Sequence, residues 1–323
     1  MASPDIAVIG GSGLYTLLDA ARRVSVSTPY GAPSDEIAIG RFAGREVAFL
    51  ARHGAGHTLP PHRVNHRANL WALARLGVRA VLATAAVGSL QPSLEPGALV
   101  VPDQLLDRSG RRDDTFFDGP DVCHLAFADP FCPQTRQALI AGLRACGEPV
   151  VDRATTAVIP GPRFSTRAES RALRAAGADL VNMTQYPEAA LAAELDLGYA
   201  SLCIVTDRDT DGAEPVTAEV VLGRLADARP RLVAVLEHAV RALPAEPAPR
   251  GLVDSDAVRR VLARDAACPT PVAAGAGSDP DRGVVGAHPR REASRPARDA
   301  TPPTPIDTGA GSPSDVSDAV ATR

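Results

Sequence analysis

The chain has 323 residues, 45% of them apolar and 22% charged, with a formal net charge of -4 at pH 7. This length fits one large globular domain or two small ones. The near-neutral balance lacks the basic footprint of a nucleic-acid binder, and no apolar run approaches the roughly 18–20 residues that span a bilayer.

From the N-terminus, MASPDIAVIGGSG has no basic n-region and carries Asp5 inside its apolar stretch. No secretory signal is read there, and the cytoplasm is the expected compartment. DIAVIG (5–10) is a short apolar run ending in Gly-Gly, a buried strand entering a tight loop. EIAIGRF and REVAFLAR form a pair of strands around Ala43-Gly44. HRVNHRANLWALARLG (62–77) has helical spacing at Leu70, Leu73 and Leu76 and stops at Gly77. RAVLATAAVGSL (79–90) is a strand running into a turn, and ALVVPDQLLD is another strand. PQTRQALIAGLRACG (133–147) is a helix, and ATTAVIPGPRF is a strand that breaks at Pro-Gly-Pro. TRAESRALRAAG (166–177) is a helix and DLVNM a strand. YPEAALAAELDLG (186–198) is a helix with Pro187 near its first turn, where a missing N–H is harmless. YASLCIVTDRD (199–209) is a strand. Residues 217–243 form a long amphipathic helix, or two pieces meeting near Pro230. Strands alternating with helices predict an α/β fold: a single domain over 1–244 with a central mixed, largely parallel sheet flanked by helices. In such sheets the site lies at the carboxyl ends of the strands.

The composition changes near residue 245. From Ala245 to Arg323 there is no Phe, Tyr or Trp, and Pro, Ala, Gly, Asp and Ser dominate. Residues 245–323 are expected to be a mostly disordered tail, because they bury too little apolar surface to offset chain entropy. SDAVRRVLARDA (255–266) has helical spacing at Val258, Val261 and Leu262 and reads as a transient or docking helix.

Two compositional facts narrow the chemistry. All 34 basic residues are arginines, which excludes Schiff-base lysine chemistry and a P-loop lysine. The five cysteines (Cys123, Cys132, Cys146, Cys203 and Cys268) are odd in number and show no CxxC spacing. Reduced thiols are expected, with no disulfide framework and no metal site.

Several motifs follow predicted strands. GGSGLY (10–15) is an anion-binding loop or a plain tight turn. It is no dinucleotide fingerprint, since Thr16 stands where the third glycine is needed. Residues 52–67 hold four histidines and three arginines with no acid among them. Arg52 beside His53 offers a guanidinium fork and an imidazole to an oxyanion, although any one of these histidines also fits a structural role. TAAVGSL (84–90) is a strand end of small residues, suited to close ligand approach or to close packing. In VNMTQYPE (181–188), Thr184 either donates to an anion or caps a helix. TDRDTD (206–211) places acids at alternate positions. It reads as a carboxylate site for an amine or a proton, or as a solvated turn. A Ca²⁺ loop is excluded, because Ala218 stands where the twelfth-position Glu is required.

Taken in order, GGSGLY, RHGAGHTLPPHRVNHRANLWAL, TAAVGSL, FFDG, VCHLAFADPFCP, GPRFSTRAES, VNMTQYPE and YASLCIVTDRD resemble the methylthioadenosine phosphorylase branch of the purine nucleoside phosphorylase family, over roughly residues 5–243. The resemblance implies phosphorolysis: phosphate attacks C1′ of a purine nucleoside and releases the base through an oxocarbenium-like transition state. Inorganic phosphate is a co-substrate, and no metal or organic cofactor is implied. By the same resemblance, Ser12, Arg52, His53, Ala85, Ala86 and Thr184 hold phosphate, with Ala85 and Ala86 also near the ribose. Met183 packs under the ribose, and Phe164 and Ser165 lie in the base pocket. Asp207 accepts from or protonates purine N7, and Asp209 helps hold the 6-amino group. His124 reaches a neighbouring subunit's site, so a homotrimer is implied. The pair Asp207 and Asp209 favours adenine over 6-oxopurines, and Val216 and Ala218 favour an apolar 5′ group. Three departures bear on substrate range, toward adenosine or inosine. Residues 209–217 are shorter than usual and carry Asp211, Gln185-Tyr186 replaces a small or apolar pair, and Ala85 replaces Thr. The competing readings are a phosphorylase of inosine, guanosine or methylthioinosine, and a nucleoside-binding protein without turnover.

Overall fold

The computed structural model describes residues 3–110, 112–208 and 217–265. β1 (Ile6–Gly10) is buried throughout. It is followed by β2 (Arg22–Val24), β3 (Ile37–Phe42) and β4 (Arg45–Ala51). Further strands are β5 (Ala80–Ser89), β6 (Leu99–Val100), β7 (Gln104–Asp107), β8 (Thr155–Val158), β9 (Leu180–Asn182) and β10 (Gly198–Arg208). The order β4-β1-β5-β10 is parallel and forms the centre, while β3, β6 and β9 join antiparallel. The sheet is therefore mixed with a parallel heart, as the alternating pattern predicts. Ala43 (φ 53°) and Gly44 (φ 86°) close the β3–β4 hairpin, and two consecutive positive φ values suit a tight two-residue turn.

Helices cover both faces. On one face, Ile6 and Val8 meet Leu139 and Leu143 of α2 (Pro133–Ala145) and Leu232 and Val235 of α5 (Ala218–Ala242). On the other, Ala7 and Ile9 meet Leu70 and Leu73 of α1 (His66–Arg75) and Leu191 of α4 (Gln185–Glu194). A continuous apolar strand with alternate residues serving two cores is what a doubly covered sheet requires. α3 (Arg167–Ala175) starts at a capping box, in which Thr166 and Glu169 satisfy each other's backbone N–H.

Two details differ from the sequence reading, and one open alternative is decided. ALVVPDQLLD is two strands, because Pro102 cannot donate to a ladder; β6 pairs with β10 and β7 with β8. α5 is one helix through Pro230, and both Pro230 and Ala226 are exposed, so water can take the freed carbonyl. β2 was not predicted, since three residues at an exposed edge carry no alternation.

The boundary expected at 244 is too early. Residues 245–265 lie along the domain and end in α6 (Ser255–Leu262), capped by Asp254. Arg45 donates to the carbonyls of Leu243 and Pro244, and Gly251 N–H donates to Asp196. Val261 is fully buried, and its carbonyl accepts from Trp71 Nε1 at 3.0 Å. Arg264 donates to Tyr30 Oη and to the Phe116 carbonyl, each at 2.8 Å. The strap has no aromatic residues of its own; it borrows Trp71, Tyr30 and Phe116 from the domain, which composition in a local window cannot register. The rest of the expected tail, 266–323, lies outside the described residues. Among the described residues, no helix is long and apolar enough to cross a membrane.

Candidate active site

A cavity of about 430 Å³ opens at the carboxyl ends of β1, β4, β5, β9 and β10. This volume lies in the range of small-molecule sites. Ser12, Arg52, His53, Ala85, Ala86 and Thr184 all line it, as do Met183, Phe164, Ser165 and Asp207. With Ala218 of α5, the structure thus brings together eleven residues named from the sequence. Asp209, Asp211 and Val216 lie outside the described residues. His124 is exposed and does not line this cavity.

One corner is built around Arg52 at the end of β4. The guanidinium is 1% exposed and makes a fork with Glu188 of α4: Nε to Oε1 at 2.8 Å and Nη2 to Oε2 at 2.7 Å. Nη1 donates to the Thr84 carbonyl at 2.8 Å. Burial pushes the Glu188 carboxyl up, but the adjacent Arg52 charge outweighs it and holds the acid well below the usual carboxylate range. The glycine loop touches this corner. Gly11 N–H donates to Thr84 Oγ1 at 2.9 Å, so that N–H is already engaged. A Cβ on Gly11 would lie 2.4 Å from the Thr84 carbonyl oxygen, a distance that only glycine allows.

His53 is 5% exposed, and its Nδ1 lies 2.8 Å from the Leu59 carbonyl. A carbonyl only accepts, so Nδ1 carries the proton and Nε2 is left as an acceptor. Burial first, and then the Arg52 charge, lower the His53 pKa to about 4. The ring is neutral at pH 7. His57 stacks on it at 4.5 Å and contacts Tyr15 Oη through Nδ1 at 3.1 Å. The remaining members of the basic segment go elsewhere: His62 and Arg63 are exposed, and Arg67 pairs with Asp113 and Asp118.

The end of β9 supplies the next group. Asn182 Oδ1 accepts from the backbone N–H of Thr184 at 2.7 Å and of Gln185 at 2.8 Å. Asn182 therefore caps α4, and the Thr184 side chain makes no capping bond. The Thr184 hydroxyl lines the cavity instead. Gly161 has φ +67°, and a Cβ there would lie 2.6 Å from Met183 Sδ. The loop leading to Phe164 and Ser165 thus packs directly on Met183. Arg112 ties this region together, donating to the carbonyls of Met183 at 2.9 Å, Tyr186 at 2.6 Å and Pro160 at 3.0 Å.

Across the cavity, Asp207 is 7% exposed and accepts from Thr206 Oγ1 at 2.7 Å. The register of β10 against β5 slips between Val205 and Asp207. Such a bulge re-aims a side chain, and here it accompanies the placing of both Thr206 and Asp207 on the cavity wall. Val221 and Leu222 of α5 close the apolar side. Among the described residues, no group of three or more His, Cys, Asp or Glu is gathered closely enough to hold a metal ion.

Sequence reasoning missed Asn182, Glu188, Arg112 and His57. A signal existed for Glu188: a lone acid in the apolar run PEAALAA, one turn after Thr184. Arg112 sits in RSGRRDD, where nothing marks one arginine from another.

The Phosphorylase superfamily profile matches residues 5–241. The chain is 52% identical over 251 residues to a purine nucleoside phosphorylase of Streptomyces coelicolor, covering 75% of this chain and 90% of that one. It is 53% identical over 234 residues to the S-methyl-5′-thioadenosine phosphorylase of Mycobacterium tuberculosis, covering 71% and 86%. Among solved structures, methylthioadenosine phosphorylase from Schistosoma mansoni in complex with adenine aligns with a TM-score of 0.71 at 37% identity. That alignment covers 80% of this chain and 96% of that one. With its fold, its strand-end cavity and these relatives in agreement, the chain belongs to the phosphorylase superfamily.

Proposed function

We propose that the protein is a nucleoside phosphorylase that converts S-methyl-5′-thioadenosine and phosphate to adenine and S-methyl-5-thioribose 1-phosphate. The observation that carries this reading is one cavity lined by Arg52, His53 and Thr184, which suit an anion, by the carboxylate of Asp207, and by Met183. A phosphate oxygen attacks C1′ as the bond from C1′ to the purine nitrogen breaks. The electron pair of that bond goes to the base. Positioning of phosphate and stabilisation of the departing base supply the rate. Neutral His53, with Nε2 as acceptor, takes a hydrogen bond from a phosphate that retains a proton. Asp207 accepts from, or passes a proton to, purine N7, and Asp209 completes the reading of the amino group. The apolar wall of Val221 and Leu222 suits a methylthio group better than a hydroxyl, by roughly 1–3 kcal/mol. The reaction balances with phosphate alone, so no cofactor enters.

The Streptomyces coelicolor relative favours a second reading, a purine nucleoside phosphorylase of 6-oxopurines. Base release from methylthioadenosine, adenosine, inosine and methylthioinosine by chelator-dialysed protein separates the two. Adenine released fastest from methylthioadenosine, and only with phosphate, supports the first reading. Hypoxanthine released faster than adenine supports the second. A homotrimer in the cytoplasm completes the proposal. The exposed residues Val122, 73% exposed, and His124 support the assembly, and the four cysteines that are free among the described residues support the compartment.

A further inference from the structure

The phosphate corner depends on a group that touches no substrate. Glu188 is fully buried, and its two carboxylate oxygens take Nε and Nη2 of Arg52. Tyr199 Oη, from β10, donates to Glu188 Oε2 at 2.7 Å. The Thr84 carbonyl, from β5, takes Nη1 of Arg52. Three bonds to acceptors on two elements fix the guanidinium plane, and Tyr199 fixes the carboxylate from a third. Three of the five N–H bonds of a guanidinium are thereby used, which leaves two for an oxyanion. The edge so presented abuts the glycine loop, since Arg52 Nη1 would lie 2.9 Å from a Cβ on Gly11. Glu188 also balances the buried charge of Arg52.

His66 is the other buried group here. Its Nδ1 lies 3.5 Å from Glu188 Oε1, too far for a good hydrogen bond, and neither ring nitrogen has a hydrogen-bond partner among the described residues. Burial keeps its pKa low, so it stays neutral and adds no second positive charge beside Arg52.

We propose that Glu188, braced by Tyr199, is a positioning residue for phosphate: it orients Arg52 so that two of its N–H groups face the anion. The inference rests on the phosphorolysis reading, and direct phosphate titration keeps the two apart. Glu188→Gln retains the shape but accepts only one of the two Arg52 donors. In this variant the calorimetric Kd and the kinetic KM for inorganic phosphate should rise about 10–100-fold, the factor outer-shell partners are worth at metal centres. The KM for the nucleoside should stay within about twofold, and Glu188→Asp should recover part of the loss. A folded Glu188→Gln variant with unchanged phosphate Kd and KM would overturn the proposal, as would an equal loss for nucleoside and phosphate. If Glu188→Gln does not fold, Tyr199→Phe carries the test. A several-fold rise in phosphate Kd alone supports the role, and an unchanged Kd refutes it. Parent protein that binds phosphate but turns over no nucleoside defeats the phosphorolysis reading and leaves the Glu188 test standing.

Discussion

Two side chains carry predictions of their own. Asp207 is the acid held at the bulge of β10, and on the proposed reading its carboxylate at purine N7 favours adenine over a 6-oxo base. Asp207→Asn supplies a donor in the same volume. The ratio of adenine to hypoxanthine release should fall by about tenfold or more, the scale of a mismatched polar contact. An unchanged ratio would remove Asp207 from base reading. His53 makes a different prediction, because its folded pKa of about 4 lies below the ordinary 6.5. Between those values the unfolded chain binds the proton and the folded one does not. The contribution of His53 to stability is therefore complete above pH 6.5 and is lost progressively as pH falls toward 4. Denaturant titrations across this window should show a shallower pH slope in His53→Gln than in the parent. Equal slopes would mean that the ring is not held neutral. Phosphorolysis should likewise show no inflection near pH 6.5 from this residue.

Among the elements, the strap and α6 give the sharpest expectation. Val258 and Val261 are buried against α1 and its surroundings, and Trp71 spends its one donor on the strap. Burial of each valine is worth roughly 1.5–3 kcal/mol before ordering entropy is subtracted. Truncation after Pro244 should lower Tm by on the order of 10 °C for a chain of this size. It should also loosen the segment at Phe116, which Arg264 holds. Truncation after Asp265 should retain turnover and Tm. Thermal melts of the two truncations decide this, and equal Tm values would show that α6 adds nothing. The same element explains why the domain boundary was misplaced in the sequence. Val258, Val261 and Leu262 were visible as a helical face, but the surface that receives them is assembled from residues nearly two hundred positions earlier.

For the whole molecule, the expected trimer is the natural test. His124 is exposed and lies off the cavity wall, which leaves the cavity without a group that the family resemblance assigns to it. Sedimentation velocity should give a trimer. Mixing inactive Asp207→Ala subunits with His124→Ala subunits should restore turnover above that of either parent, if one subunit's histidine completes its neighbour's site. A monomer with full activity would remove both the assembly and the role of His124.

The sequence alone determined the alternation of strands and helices, the mixed sheet, and the strand-end positions of Ser12, Arg52, His53, Thr184 and Asp207. Those signals are local: a buried strand reads as an apolar run, a helix as a 3.6-residue spacing, and a strand end as small or polar residues after it. Tertiary structure alone decided that His57 joins His53 on the cavity wall while His62 and His66 do not, and that Asn182 rather than Thr184 caps α4. It also decided that the charge of Arg52 is met by Glu188. Each of these is a choice between partners far apart in the chain. The physical reason is burial: once a guanidinium leaves water, the nearest compensating group is chosen by packing of the sheet against its helices, and no local spacing records it.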